Sequence, residues 1–411
     1  MTYSVWNSIV GRRSVIDTVV FVRASGLGCV SADMGEAKGS FVITSGRCAG
    51  TEAVVPGLER LLDVTDRPRP SGLPKHLVLD GHRVEVSEAF WTYLYVGAER
   101  QRMFFRRVEA QPAPWTEDPI LSAHRFTNAY RASDRVSQYL LQNVVYDKAR
   151  DSNDVIFRVL LFKMFNRIDT WEYLCERVGD PSVDTFDAAD YAVVLDDRFR
   201  ANARLYSAAY IMPSPAFGQV RKHANHLHLL EALVRTGTVE RFADASSLRD
   251  LFEQLLAVPS FGPFLAFQYA IDLNYADCFS FDEMSFVVAG PGAIRGVGKC
   301  FVSTGGLTVE GVIRAVTNTA PELFERLGLQ FRDLWGRPLQ LIDCQNLFCE
   351  TDKYTRVSLP HLANGGPTRI KQNYSPDPHP LSIGYPPKWR LPHTATSPTP
   401  IGPLSINPTR L

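Results

Sequence analysis

Val258-Pro259-Ser260-Phe261-Gly262-Pro263-Phe264-Leu265-Ala266 is the stretch whose reading decides the fold class. An apolar–Pro–small–apolar–Gly turn running into an apolar helix has the form of a helix-hairpin-helix. Such a turn presents backbone N–H groups at a helix N-terminus, where they can hold a DNA phosphate without reading sequence. Only a small residue at Gly262 permits that approach, and Ser260 stands where a first glycine is usual. Flanking helices are expected at 246–257 and 264–273.

Working outward, the helical pattern extends from about Ser87 to Tyr354. Ser133-Asp134 caps an apolar-periodic run, and Val155–Val178 reads as one wide-faced helix. Others are expected at 197–210, 218–236 and 309–327. The fold class is therefore mainly α: a helical domain over 84–358, carrying the helix-hairpin-helix-like turn. A small mixed α/β segment, 1–83, precedes it, with β-prone runs at 15–22, 40–43 and 76–79. A tail, 359–411, follows. Twelve of the 27 prolines lie from Pro360 onward, so this tail forms irregular backbone, with disorder expected from His393 to Leu411.

The 411 residues carry 44 basic and 44 acidic side chains and are 45% hydrophobic. That excludes global disorder and a tail-driven polycation, but not a basic groove. From Gly97 to Arg150 there are nine Lys/Arg against six Asp/Glu. No signal peptide or membrane span is expected, and seven scattered cysteines make no disulfide framework, so a soluble intracellular protein is anticipated.

Four further segments carry polar chemistry. Phe126–Arg135 sets Asn128, Arg131, Asp134 and Arg135 close together. Phe165-Asn166-Arg167-Ile168-Asp169-Thr170-Trp171-Glu172 places polar groups in an apolar helix, where they need partners or serve a site. Ala289–Lys299 holds Gly290, Gly292, Arg295 and Lys299, a composition suited to a phosphate loop. It is not a Walker A loop: the required first glycine falls at Ala293, and Cys300 replaces the metal-binding Ser/Thr. Cys344–Arg356 spaces Glu350, Lys353 and Arg356 to project together, while Cys344 and Cys349 lack the partners of a metal cluster. His223, His226 and His228 lack a matched carboxylate, so no metal or cofactor is expected.

In order and spacing these segments resemble the 5-hydroxymethyldeoxyuridine (5-hmdU) DNA kinase helical-domain family, grouped with the alpha-glutamyl/putrescinyl thymine pyrophosphorylases. The likeness rests on Phe-Thr-Asn-x-Tyr-Arg-x-x-Asp-Arg (126–135), Phe-Asn-Arg…Thr-Trp-Glu (165–172), Gly-Pro-Phe-x-Ala (262–266), Ala-Gly-Pro-Gly-Ala-x-Arg-Gly (289–296) and Cys-Glu-x-x-Lys-Tyr-x-Arg (349–356). It implies a DNA-glycosylase-like helical fold that handles a flipped thymine-derived or 5-hydroxymethyluracil base in DNA, with group transfer at the 5-hydroxymethyl carbon. Base excision, and non-catalytic DNA binding beside a separate kinase or transferase, are the alternatives. It also implies a site lined by Asn128, Arg131, Asp134, Arg135, Asn166, Arg167, Trp171, Glu172, Asp282, Arg295, Glu350, Lys353 and Arg356. Asp282, Glu350 and Asp134 are the expected acid/base groups; Asp282 falls 20 residues after Gly262, about where helix-hairpin-helix glycosylases keep an aspartate, and Asp272 falls 10 after it. Without a Walker loop, ATP-dependent phosphorylation by this chain alone is not expected.

Overall fold

The computed structural model describes residues 74–363, 366–377 and 381–395, together with four short strands between Ser4 and Ser45. The chain divides into two compact units, Met1–Arg67 and Pro68–Leu411. In the first, β1 (Ser4–Asn7), β2 (Val20–Arg23), β3 (Val30–Asp33) and β4 (Val42–Ser45) pair in sequence order as an antiparallel meander. The β-prone runs at 15–22 and 40–43 overlap β2 and β4.

The second unit is mainly helical. It opens with a hairpin, β5 (His76–Leu79) and β6 (His82–Val86), turned by Asp80 and Gly81 at positive φ. Ser87 then caps α1 (Glu88–Val108), its Oγ accepting from the Ala89 N–H at 3.0 Å. After α2 (Pro119–Ala123), a 3₁₀ turn at Arg131–Ser133 leads into α3 (Arg135–Leu140) and one π-helical turn at Leu141–Val145. The run at 155–178, expected as one helix, is two. Asn166 adopts φ 48° and ψ 42°, ending α4 (Ser152–Phe165) before α5 (Ile168–Val178), because asparagine tolerates the left-handed region. The helix expected at 197–210 lies earlier, as α6 (Ala188–Arg200), capped by the Asp187 carboxylate. Residues 201–221 are irregular, and α7 (Lys222–Arg235) and α8 (Thr238–Ala243) follow.

The opening motif forms as a pair of helices. The strongly amphipathic α9 (Leu248–Leu256) and the nearly all-apolar α10 (Pro263–Leu273) are joined by a short turn. Ser260, at the position of the usual glycine, takes φ 69°, and Gly262 caps α10 with Pro263 at its first turn. A Cβ on Gly262 would meet nothing within 4 Å, so the protein itself does not require glycine there.

The Gly-rich stretch 289–299 is a helix, α11 (Pro291–Cys300), not a loop. Its glycines serve packing. A Cβ on Gly292 would overlap the Cys349 sulfur, one on Gly296 the Phe348 carbonyl, and one on Gly290 would sit 2.6 Å from the Phe264 ring. The backbones of α11 and α13 (Leu341–Ser358) thus approach more closely than any larger residue permits. Strand β7 (Phe301–Ser303) returns to β6, and α12 (Val309–Arg326) completes the set. The hydrophobic core is continuous through all these helices except the short α2. Among the described residues no helix is long and apolar enough to cross a membrane.

The tail docks as irregular backbone wherever it is described. Tyr385 is wholly buried. Of the stretch expected to be disordered from His393 onward, His393 and Ala395 are instead docked by backbone hydrogen bonds to Tyr385, and residues 396–411 lie outside the described residues.

Candidate functional site

Helix α13 is the spine of the site. Asp343, Gln345, Asn346, Glu350, Thr351, Asp352 and Thr355 are all buried along it. A helix buried over most of its length with so many polar groups must supply each with a partner.

At its N-terminal end, Asp343 accepts from the N–H groups of Gln340 (2.9 Å) and Arg131 (2.7 Å). Burial nevertheless pushes its carboxyl up to about 7. The Arg131 N–H bond anchors the 3₁₀ turn of the 126–135 segment to α13. The Arg131 guanidinium turns inward, pairs with Asp272 of α10, and donates to Gln268 Oε1 (3.0 Å) and the Tyr275 hydroxyl (3.2 Å). Lys163 of α4 meets the other Asp272 oxygen at 2.8 Å, donates to Asn166 Oδ1 (3.0 Å), and lies 4.5 Å from the Tyr210 ring centroid. Two cations hold Asp272 below the usual carboxylate range despite its burial.

The next turn outward holds the most chemically suggestive group. The Asn128 N–H donates to Asp134 Oδ1 at 2.7 Å, and its side chain bridges the Ser133 carbonyl (2.6 Å) and Arg100 (2.7 Å). Arg100 also donates to the Thr127 carbonyl at 2.9 Å. Glu350 reaches the Thr127 N–H (3.3 Å) and Lys353 (3.5 Å). Burial, aided by Glu350, raises Asp134 to about 7, although the Asn128 N–H, Arg100 and Arg131 pull the other way. Beside this group, Thr127 Oγ1 and Asn346 Nδ2 are buried without a hydrogen-bond partner among the described residues.

Further along α13, Asp352 gathers three cations. Arg295 and Arg356 meet one of its oxygens at 3.2 and 2.8 Å, and Lys299 meets the other at 3.0 Å. Lys299 is buried against Thr355, whereas Arg295 is 43% exposed. One carboxylate among three cations leaves a local surplus of positive charge at the surface. The thiol between the two groups, Cys349, is pushed up to about 12 by burial and by Glu350 and Asp352, which argues against a thiolate role.

Within this frame the sequence candidates separate. Asn128, Arg131, Asp134, Glu350 and Lys353 converge, as do Arg295, Lys299 and Arg356. Gly290 and Gly292 pack the helices, and Gly262 is the N-cap of α10. Arg131 lends no charge to a ligand, since Asp272 consumes it in the interior. Asn166 supports Lys163. Arg167 pairs with Asp169 (2.6 Å), which also binds Arg198; Arg135 is exposed near the same carboxylate. Glu172 hydrogen-bonds Tyr139 on the surface. Trp171 is core: it packs edge-on to Phe162 and under the Arg158 guanidinium. The structure does not bring Asp282 to the group. It is exposed, and its carboxylate caps its own turn through the Met284 N–H at 2.8 Å. Sequence reading missed Arg100, Lys163, Gln268 and Tyr210 as site residues. Lys163, one of two cations (with Arg158) inside the apolar run 155–165, was the signal available. His223 and His226 bind Asp196 and the Pro213 carbonyl, and no cluster of three or more metal-type side chains occurs among the described residues.

A family profile described as "5-hmdU DNA kinase, helical domain" matches residues 87–364. The chain belongs to this family. All the groups built on α13 fall within the matched region, and the first unit lies outside it. Among curated proteins the 5-hmdU DNA kinase of Bacillus phage SP10 is 23% identical over 316 residues, covering 70% of this chain and 49% of that protein. The chain thus spans about half the length of that relative. No solved structure matches.

Proposed function

We propose that this helical domain binds DNA and acts on a flipped, thymine-derived base such as 5-hydroxymethyluracil, with group transfer at its 5-hydroxymethyl carbon. The observation that carries this reading is the Asp134 carboxyl. It is partly buried, fixed by the Asn128 N–H, flanked by Arg100 and Glu350, and raised to about 7. A carboxyl near neutrality can take a proton from an attacking group and return it to a leaving oxygen, which is what transfer at a hydroxymethyl carbon needs. Glu350, bonded to Lys353, assists as the neighbouring negative charge. The unpartnered Thr127 hydroxyl and Asn346 amide offer one acceptor-donor group and one donor for a pyrimidine edge.

In this reading the Arg295–Lys299–Arg356 group holds a DNA phosphate, using charge alone. The turn at 257–262 presents the α10 N-terminus to a second phosphate. A kinase or other modifying enzyme acting on the same DNA is the partner this reading suggests. Incubation with duplexes containing 5-hydroxymethyluracil or thymine, read by nucleoside mass spectrometry, is the test. A mass adduct that disappears in Asp134→Asn supports transfer. Free base with abasic sites would replace transfer with excision, and tight binding without product would reduce the domain to a DNA-binding module.

A further inference from the structure

The segment Leu381–Ala395 lies beyond the matched region, yet it is tied to the candidate site more closely than its distance in sequence suggests. Tyr385 is fully buried, and its hydroxyl lies 2.8 Å from Ser133 Oγ. Ser133 is the residue whose carbonyl accepts from Asn128, and Asn128 in turn holds Asp134. One residue earlier, the Gly384 N–H donates to Gln138 Oε1 at 2.7 Å, and Gln138 donates to the Ala132 carbonyl at 2.7 Å. The segment thus grips the 131–134 turn at two consecutive positions. It is also closed on itself: the Tyr385 N–H donates to the His393 carbonyl (2.9 Å), and the Ala395 N–H to the Tyr385 carbonyl (2.8 Å).

Its other end is anchored. The Lys388 ammonium donates to the carbonyls of Asn274, Ala276 (2.8 Å) and Phe279 (2.6 Å), filling the orphan acceptors beyond the C-terminus of α10. Trp389 packs edge-on against Tyr275 and beneath the Arg337 guanidinium, 3.7 Å from the ring centroid. Tyr275 receives a hydrogen bond from Arg131. The two ends therefore bear on two residues of the 3₁₀ turn that precedes the catalytic candidate: Ser133 directly, and Arg131 through Tyr275.

We propose that Leu381–Ala395 is a positioning strap for the site, in which Tyr385 sets the Ser133–Asn128–Asp134 chain and Lys388 locks the strap to the end of α10. Its catalytic meaning rests on the reading of Asp134 given above; its mechanical role does not. Tyr385→Phe removes one buried hydroxyl without changing ring volume. Hydrogen exchange followed by mass spectrometry should then quicken by about tenfold in peptides covering 126–134, the effect of one buried hydrogen bond. Peptides from α4 and α12 should stay unchanged. Ser133→Ala should give the same effect, and the double variant no more than either single. In ¹³C-carboxyl-labelled protein the Asp134 titration should fall toward the ordinary carboxylate range, since a loosened turn admits water. Covering surface alone would leave this titration in place.

Exchange at 126–134 and an Asp134 titration that both stay as in the parent, while 381–395 itself opens, would overturn the strap. Lys388→Met keeps the stem but removes the ammonium, and should open 381–395 and 126–134 together; opening of 381–395 alone would also overturn the proposal. If both report loosening yet processing of 5-hydroxymethyluracil duplex is unaffected, the strap stands and the assignment of Asp134 fails.

Discussion

Two aspartates on neighbouring helices collect cations in opposite ways. Asp272 sits in the interior between Arg131 and Lys163, with Gln268 and Tyr275 completing the shell. Asp352 holds Lys299 inward while Arg295 and Arg356 reach toward solvent. Both carboxylates lie below their usual range, held there by their cations. In the first, ionic partners organise the fold, because a buried charge left single costs several kcal/mol. In the second, the aspartate orders cations it does not neutralise, so part of their field remains for a ligand. Similar residue types give a structural knot in one place and a binding surface in the other, and solvent access is the difference.

The comparison breaks most readily at Asp272. Asp272→Asn strands two buried cations and should cost about 3–5 kcal/mol, measured by denaturant unfolding; a loss under 1 kcal/mol would show that the knot is not structural. Gly296→Ala should cost about 1–3 kcal/mol, since its methyl group meets the Phe348 carbonyl and α11 must back away. It tests whether close helix approach, rather than loop chemistry, explains the glycines.

Arg295→Ala with Arg356→Ala leaves the buried Asp352 paired with Lys299 alone and should cost about 1–3 kcal/mol, less than the loss at Asp272 because that one pairing survives. Duplex affinity should fall, and the salt slope should drop by about one for each cation that meets a phosphate. An unchanged slope would make the Asp352 group structural as well.

The sign of the Asp134 effect follows from its raised pKa. Between the ordinary carboxylate range and about 7 the folded chain keeps a proton that the unfolded chain has lost. Its contribution therefore favours folding at low pH and fades as pH rises through that window. Asp134→Asn should flatten this part of the stability profile, leaving the similar share of Asp343. The smallest effect is expected at Asp282→Asn, within about 0.5 kcal/mol and without loss of product, as for an exposed turn residue.

Local pattern made most of the helices legible. The 248–273 pair, α7 and α12 lie where apolar spacing and small-residue turns put them, because amphipathic periodicity already encodes which face is buried. The break at Asn166 was not legible, since a left-handed asparagine inside an apolar run leaves the periodicity intact. The glycines of 290–296 misled for a different reason. Composition alone cannot tell a loop that admits phosphate from a helix that admits another helix.

The candidate site shows the same division. The sequence by itself determined which segments carry polar chemistry, and grouped Asn128, Arg131 and Asp134 within one short stretch. Only the tertiary structure decided that Arg131 faces inward to Asp272, that Asp282 stays on the surface, and that Lys163, Arg100 and Tyr385 join the site from elsewhere in the chain. The reason is physical: the charge a side chain offers depends on what is packed against it, and those partners lie tens to hundreds of residues away.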